Sequence, residues 1–304
     1  MSCGIATMPR TMSISVNFSP ELSGWILHNL DRGCTVDDLI NSMVEQKFDP
    51  SIAAGLVDAF WRSRSEGVDP PKDAVEIDSA LAEYRYEIPR LAPGSVIRTT
   101  DRDIPVLLRL DQPVIALLDS VLSDEECDQL IELARNRLRP STVVDLYTGA
   151  DKIAEHRDSD GMFFKLEETP FIAKLDQRIS EVMNCPIENG EGLQVLRYGP
   201  NTKNTPHFDF LAPSNPANRE SLARSGQRIS TLVTYLNNVK SGGETFFPEV
   251  GLSVSPKKGN SAYFEYGNSL RQVDPKSVHS GTAVNEGEKW VVVKWMRERR
   301  FTSA

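Results

Sequence analysis

His207 and Asp209 stand two apart in Thr-Pro-His-Phe-Asp-Phe, and a second histidine, His279, follows 72 positions later. Two imidazoles and one carboxylate can occupy one face of a ferrous ion. The remaining positions stay open for a chelating co-substrate and for oxygen, which is the ligand set of non-haem iron oxygenases. The chain has only four histidines in 304 residues, and two of them sit in this pattern. A His-x-Asp pair alone is a weak signal, because a polar strand end with a hydrogen-bonded histidine carries the same letters. Three features strengthen it. The surrounding residues read as strands. Lys289 follows the second histidine by ten, in another strand-like segment. A Gly242-Gly243-Glu244-Thr245 turn lies between the two ligand segments.

The elements that must position these groups begin near residue 103. Pro113-Val-Ile-Ala-Leu-Leu118 is a short apolar run suited to a buried strand. Ser123-Asp-Glu-Glu126 is a capping box that opens a helix carrying Leu130, Ile131, Leu133 and Ala134. A second helix is expected over Pro170–Met183, with Ile172, Leu175 and Ile179 inward. Strands then dominate, over Leu193–Tyr198, Arg228–Leu236, Asn260–Glu265 and Trp290–Met296. Short strands after two helices predict an antiparallel double-sheet barrel with helices packed outside, an α+β class. In the last strand, alternation puts Lys289 on the face of Val291 and Val293, which favours an inward ammonium over a surface lysine.

Residues 19–66 read as three short helices. Ser19-Pro20-Glu21 is an N-cap with proline at the first helical position, ahead of Leu22, Trp25, Ile26 and Leu30. Thr35 with Asp38 begins the second helix, with Leu39, Ile40, Met43 and Val44. Asp49-Pro50 begins the third, with Ile52, Leu56, Val57, Phe60 and Trp61. Gly33 and Gly67 suit helix ends. Residues 68–93, rich in proline and acid, read as a linker with a helical stretch near Ile77–Tyr84. The expected organisation is a disordered N-terminus over 1–18, a small all-α domain with its linker over 19–90, and a catalytic domain over 100–304.

A hydrophobic fraction of 39% and a charged fraction of 25% fit a soluble globular chain. A net charge of −9 argues against nucleic acid as a partner, since phosphate binding needs a cationic face. No run of 18 apolar residues occurs, so no membrane span is expected, and the N-terminus is a poor secretion signal. Cys3, Cys34, Cys127 and Cys185 are scattered, without a Cys-x-x-Cys pair. That pattern suggests free thiols and a cytoplasmic, reducing location. Cys127 falls inside a helix pattern and is expected to pack.

Several stretches occur in a familiar order: Leu193-Gln-Val-Leu-Arg-Tyr198, His207-Phe-Asp209, Gly226-Gln-Arg228, Gly242-Gly-Glu-Thr-Phe-Phe-Pro248, His279-Ser-Gly281 and Lys289-Trp-Val-Val-Val-Lys-Trp295. With them, residues 113–300 resemble the catalytic domain of the iron(II)- and 2-oxoglutarate-dependent prolyl 4-hydroxylases. The resemblance implies a distorted jelly-roll barrel (a double-stranded β-helix, cupin-like) with the metal at one mouth. It implies that His207, Asp209 and His279 hold Fe(II). In related halogenating enzymes a small residue replaces the acid and frees a site for chloride, so Asp209 favours hydroxylation. Lys289 would anchor the distal carboxylate of 2-oxoglutarate, since a buried cation is expensive to desolvate without an anion.

Tyr198 and Thr245 match positions whose hydroxyls assist that contact, although Tyr198 could equally be a core tyrosine. Arg228 matches an arginine near the metal that helps hold the peptide substrate, or it is a strand-edge arginine in a salt bridge. Trp295 packs near the co-substrate pocket or simply in the core. Arg157 and Ser159 fall where the family has Arg-x-Ser bordering the substrate groove. His156 reads as exposed, and His28 has no acid partner at ligand spacing.

The implied activity is hydroxylation of proline at C4 in a peptide or protein, with 2-oxoglutarate and O2 consumed and succinate and CO2 released. Ascorbate is a candidate further cofactor. One departure stands out. The family has a glycine six residues before the first histidine and an aromatic three before it, where this chain has Asn201 and Asn204. That motivates an alternative substrate, a free amino acid or small peptide natural product. A different class of function, a metal-binding interaction module without turnover, would use the N-terminal helices to dock a partner or to dimerise.

Overall fold

The computed structural model describes residues 13–46, 48, 50–78, 84–140, 142–144, 151–153, 159–211, 216–269 and 272–302. The chain forms two compact units, one within Met1–Tyr84 and one within Arg85–Ala304.

The first unit runs β1 (Ser13–Asn17), α1 (Pro20–Asp31), α2 (Val36–Glu45), α3 (Pro50–Glu66) and β2 (Ala74–Asp78). Local chemistry starts each of the first two helices. Ser19 accepts from the Leu22 N–H with Pro20 behind it, and Thr35 and Asp38 close a reciprocal capping box. Ile26, Leu30, Leu39, Met43, Leu56, Val57 and Phe60 bury together with Val75 and Ile77 of β2. Four expectations need correction. This unit is not all-α, because β1 pairs antiparallel with β2 from Ser13↔Asp78 to Asn17↔Ala74. The stretch expected to turn helical near Ile77 begins as strand, and residues 79–83 lie outside the described residues. The reason is packing: a period-two pattern puts Val75 and Ile77 onto the helical core, and β1 satisfies that strand's backbone. Residues 13–17, expected to be disordered, are therefore ordered as its partner. Trp25 and Trp61, expected on apolar helix faces, are exposed.

The second unit begins with a segment that the sequence suggested was linker. Arg90 and Leu91 donate backbone N–H groups to Glu265, and the Arg90 guanidinium pairs with the same carboxylate at 2.9 Å. The order is then β3 (Val96–Arg98), β4 (Asp103–Asp111), β5 (Val114–Leu118), α4 (Asp124–Arg135), β6 (Arg139–Pro140), β7 (Thr142–Val144), β8 (Asp151–Ile153), β9 (Ser159–Phe164) and α5 (Pro170–Met183). There follow β10 (Leu193–Tyr198), β11 (Asn204–His207), α6 (Pro216–Ser225), β12 (Arg228–Tyr235), β13 (Ser241–Gly242), β14 (Thr245–Phe247), β15 (Leu252–Val254), β16 (Ser261–Glu265), β17 (His279–Gly281), β18 (Val284–Glu286) and β19 (Lys289–Arg297).

Nine strands form the large sheet, in the order β3-β4-β5-β16-β12-β19-β10-β9-β6, and four form a smaller one, β11-β17-β14-β15. All the pairings are antiparallel. This is the expected jelly-roll architecture with helices outside. Two cores follow from the period-two alternation of β10, β12, β16 and β19. Leu193, Val195, Leu232, Tyr263, Trp290, Val292 and Met296 pack with Cys127, Leu130, Ile172, Leu175 and Ile179 of α4 and α5. The opposite residues Leu196, Tyr198, Tyr235, Phe264, Val291, Val293 and Trp295 pack with Phe247 and Val254 of the small sheet. The site lies on this second, inner face.

The Ser123–Glu126 capping box and the Pro170–Met183 helix form as expected, and Leu133 faces outward. Helix α6 had no sequence signal, having little apolar content. It is held from outside, where Arg299 donates to the carbonyls of Leu222 and Ala223 and Arg297 to that of Ser221. At the Gly242-Gly243 turn both residues have positive φ. A Cβ on Gly242 would lie 2.0 Å from the Ala283 carbonyl, so the close approach of β13 to the segment before β18 requires glycine.

Candidate metal centre

Strand pairing brings the two histidines together. β11 and β17 are neighbours, and His207 lies directly opposite His279 with ring centroids 4.4 Å apart. Asp209 follows β11 and reaches between them. Its Oδ1 is 3.6 Å from His207 Nε2 and its Oδ2 is 3.7 Å from His279 Nε2. One ligand atom from each residue lies within 4.8 Å of the others.

Both imidazoles present the right nitrogen. His207 Nδ1 lies 2.8 Å from the Thr205 carbonyl and His279 Nδ1 lies 3.1 Å from that of Ser277. A carbonyl only accepts, so each Nδ1 carries a proton and Nε2 is the nitrogen each ring turns toward Asp209. Backbone-fixed tautomers of this kind are how proteins orient imidazole ligands for a metal. Burial works against the charge on Asp209, but His279, His207 and Arg228 outweigh it and hold the carboxyl well below the usual carboxylate range. The centre is therefore two backbone-oriented imidazole nitrogens beside an ionised oxygen. These residues fit a borderline divalent ion, and by donor type they fit iron.

The same cavity extends inward to Lys289, which is 5% exposed. Tyr198 lies opposite Lys289 in the β10–β19 register, and the ammonium sits 5.6 Å from the ring centroids of both Tyr198 and Tyr235. Among the described residues no carboxylate forms an ion pair with it. Burial pulls its pKa down to about 8, and the more distant Glu244 only partly offsets this. Thr245 is buried and accepts a 2.8 Å hydrogen bond from the Tyr235 hydroxyl. It stands beside Gly281, which in turn faces Asn204 across β17. Asn204 lines the cavity, and its amide Nδ2 approaches His207 Nε2 at 3.4 Å.

Arg228 lies beside the ligand Asp209 and also forms the salt bridge the sequence allowed. Its guanidinium grips Glu191 through two bonds of 2.7 and 2.8 Å, stacks 4.0 Å over the Trp295 ring and donates to the Asp209 carbonyl at 3.3 Å. A bulge between Arg228 and Ser230 turns it onto the Trp295 face. Trp295 lines the cavity, and its buried indole N–H has no acceptor among the described residues. Ser159 is buried on β9, whereas Arg157 and His156 lie outside the described residues.

Five contributors escaped the sequence reading: Glu191, Thr231, Tyr235, Tyr266 and Asn204 as a cavity wall. Thr231 and Tyr235 could have been found, since they share the period-two face of Val233. Glu191 and Tyr266 lie beyond strand ends, where alternation says nothing.

Residues 193–297 match the family model of the 2OG-Fe(II) oxygenase superfamily. The chain is 40% identical over 202 residues to prolyl 4-hydroxylase 1 of Arabidopsis thaliana, covering 62% of this chain and 70% of that protein. It is 35% identical over 211 residues to prolyl 4-hydroxylase 2 of the same plant, covering 62% and 69%. Among solved structures it resembles a viral collagen prolyl hydroxylase from Paramecium Bursaria Chlorella virus-1 in complex with 2OG. That match has 29% identity and a TM-score of 0.48, over 60% of this chain and 95% of the other. A cavity with two backbone-oriented imidazoles, one carboxylate and an ammonium that pairs with no carboxylate among the described residues, in a chain that shares this much sequence over most of its relatives' length, places the protein in the prolyl 4-hydroxylase family of Fe(II)- and 2-oxoglutarate-dependent dioxygenases.

Proposed function

We propose that this chain hydroxylates C4 of proline in a peptide or protein, using His207, Asp209 and His279 to hold Fe(II) and Lys289 to hold 2-oxoglutarate. The observation that carries the proposal is the pairing of two features in one cavity: three convergent ligand atoms at one end and a buried, unpaired ammonium at the other. When bound, iron and 2-oxoglutarate supply the oxidising chemistry that places one oxygen atom of O2 on carbon while 2-oxoglutarate becomes succinate and CO2.

The chain's own residues bind and orient. Lys289 would receive the distal carboxylate, which relieves its burial as an isolated cation. Thr245, whose oxygen already accepts from Tyr235, keeps its own hydrogen to donate to that carboxylate. The Tyr198 ring walls the same end. At the metal end, Arg228 would offer a donor for a peptide carbonyl, and Glu191 holds Arg228 in place. Ascorbate would act as an auxiliary reductant, as the family resemblance suggests.

The test is succinate release from purified protein with Fe(II), 2-oxoglutarate, ascorbate and proline-containing peptides, read beside mass spectrometry of the products. A mass gain of one oxygen on prolyl residues is the expected result, and His207→Ala should reduce turnover to background. Wild-type activity in that variant would remove the ligand assignment. Because Asn204 departs from the family pattern that the resemblance implies, oxygen found only on free amino acids or small natural products would move the substrate to that class.

A further inference from the structure

Behind Asp209 lies a chain of buried hydroxyls. Thr231, on the inner face of β12 opposite Trp295, places its Oγ1 2.7 Å from Asp209 Oδ2. The Tyr266 hydroxyl lies 3.0 Å from the same Thr231 oxygen. Thr231 and Tyr266 are fully buried, and Asp209 is nearly so. The direction of this chain follows from valence. An ionised carboxylate only accepts, so the Thr231 hydrogen goes to Oδ2, and the Thr231 oxygen is then the acceptor for the Tyr266 O–H. Hydrogen bonds to a charged acceptor are the stronger kind, and this one is sealed from water.

The consequence concerns how many oxygens Asp209 can offer. A carboxylate can bind a metal through one oxygen or through both. If both bind, a ferrous ion also held by two imidazoles loses a position that either the chelating oxo-acid or dioxygen requires. Resting on the metal reading above, we propose that Tyr266 and Thr231 form a positioning relay that holds Asp209 through Oδ2, fixes the carboxylate between His207 Nε2 and His279 Nε2, and so favours metal binding through one oxygen. Neither residue touches the reacting atoms. They act through Asp209, and partners of this kind set ligand orientation and metal affinity.

The experiment uses the metal-free full-length chain titrated with Co(II), whose visible absorption reports coordination number, with and without 2-oxoglutarate. Thr231→Val removes the hydroxyl at nearly constant volume. It should weaken Co(II) binding by about 10–100-fold and alter the band intensities of the 2-oxoglutarate complex. Thr231→Ser should restore both, a rescue that a merely structural role for the side chain would not require. Tyr266→Phe keeps the ring and should shift both readouts in the same direction by less, so it reads the relay even if Thr231→Val lowers stability. Wild-type affinity and wild-type spectra in Thr231→Val and Tyr266→Phe would overturn the relay while leaving the metal centre standing. A wild-type chain that takes up no divalent metal would instead bring down the metal reading, and the relay with it.

Discussion

Lys289 and Lys294 lie on the same strand and both are buried, at 5% and 1% exposure, yet their surroundings are opposite. Lys294 faces the helices and pairs with the fully buried Asp176 of α5 at 2.7 Å. Asp176 also accepts the Glu167 backbone N–H, so that carboxylate is fully engaged. Lys289 faces the inner cavity, has two tyrosine rings beside it, and forms no ion pair among the described residues. A buried charge with a built partner is part of the scaffold. A buried charge without one is costly unless an anion is brought to it, which is the role proposed for Lys289.

The largest effect should come from breaking the scaffold pair. Lys294→Met leaves Asp176 buried without its counter-ion, at an expected loss of about 3–5 kcal/mol in unfolding free energy, measured by urea titration. The protein that remains folded should bind 2-oxoglutarate with unchanged affinity. If Lys294→Met leaves stability intact but weakens the co-substrate, the two lysines have been assigned the wrong way round.

Lys289→Met should do the reverse. It removes an unpaired charge, so stability should hold or rise. Co-substrate binding should lose about 1.5–3 kcal/mol, the usual worth of hydrogen bonds to a charged group, or roughly ten- to a hundredfold in affinity. Calorimetric titration of 2-oxoglutarate into the Mn(II)-loaded protein measures it.

A smaller effect sharpens the contrast by pH. The Lys289 pKa is depressed from 10.5 in the open chain to about 8 in the folded one. Between those values the unfolded chain holds more protons, so this group's contribution to stability rises with pH. Below about 8 the folded state must carry the buried charge. Co-substrate affinity should move the opposite way, falling as pH rises above about 8 by at most about tenfold per unit. Both slopes should vanish in Lys289→Met. Slopes that persist in that variant would trace the pH dependence to another group.

Much of the site was legible before folding was considered. His207, Asp209, His279 and Lys289 are polar residues in strand-like segments, and their types name the chemistry while their order matches the family. Alternation alone put Lys289 inward, because a strand exposes every second residue to one side. The same rule misleads at Arg228, which by parity belongs on the face opposite Thr231. A bulge reverses it, and no local pattern announced that bulge. The Glu191 and Tyr266 contacts were equally hidden, since each sits past a strand end where its direction depends on what packs against it.

Residue types and their alternation were sufficient to identify which donors could share a metal, which capped helices would form, and which side of β19 would meet the cavity. These are properties of short stretches, set by valence, capping and the two-residue repeat. Only the assembled sheets decided that His207 would lie opposite His279, that Asp209 would be gripped by Thr231, and that Lys294 would have a counter-ion while Lys289 would not. Those outcomes join residues far apart in the chain, and their distances exist only once strand register and helix packing are complete.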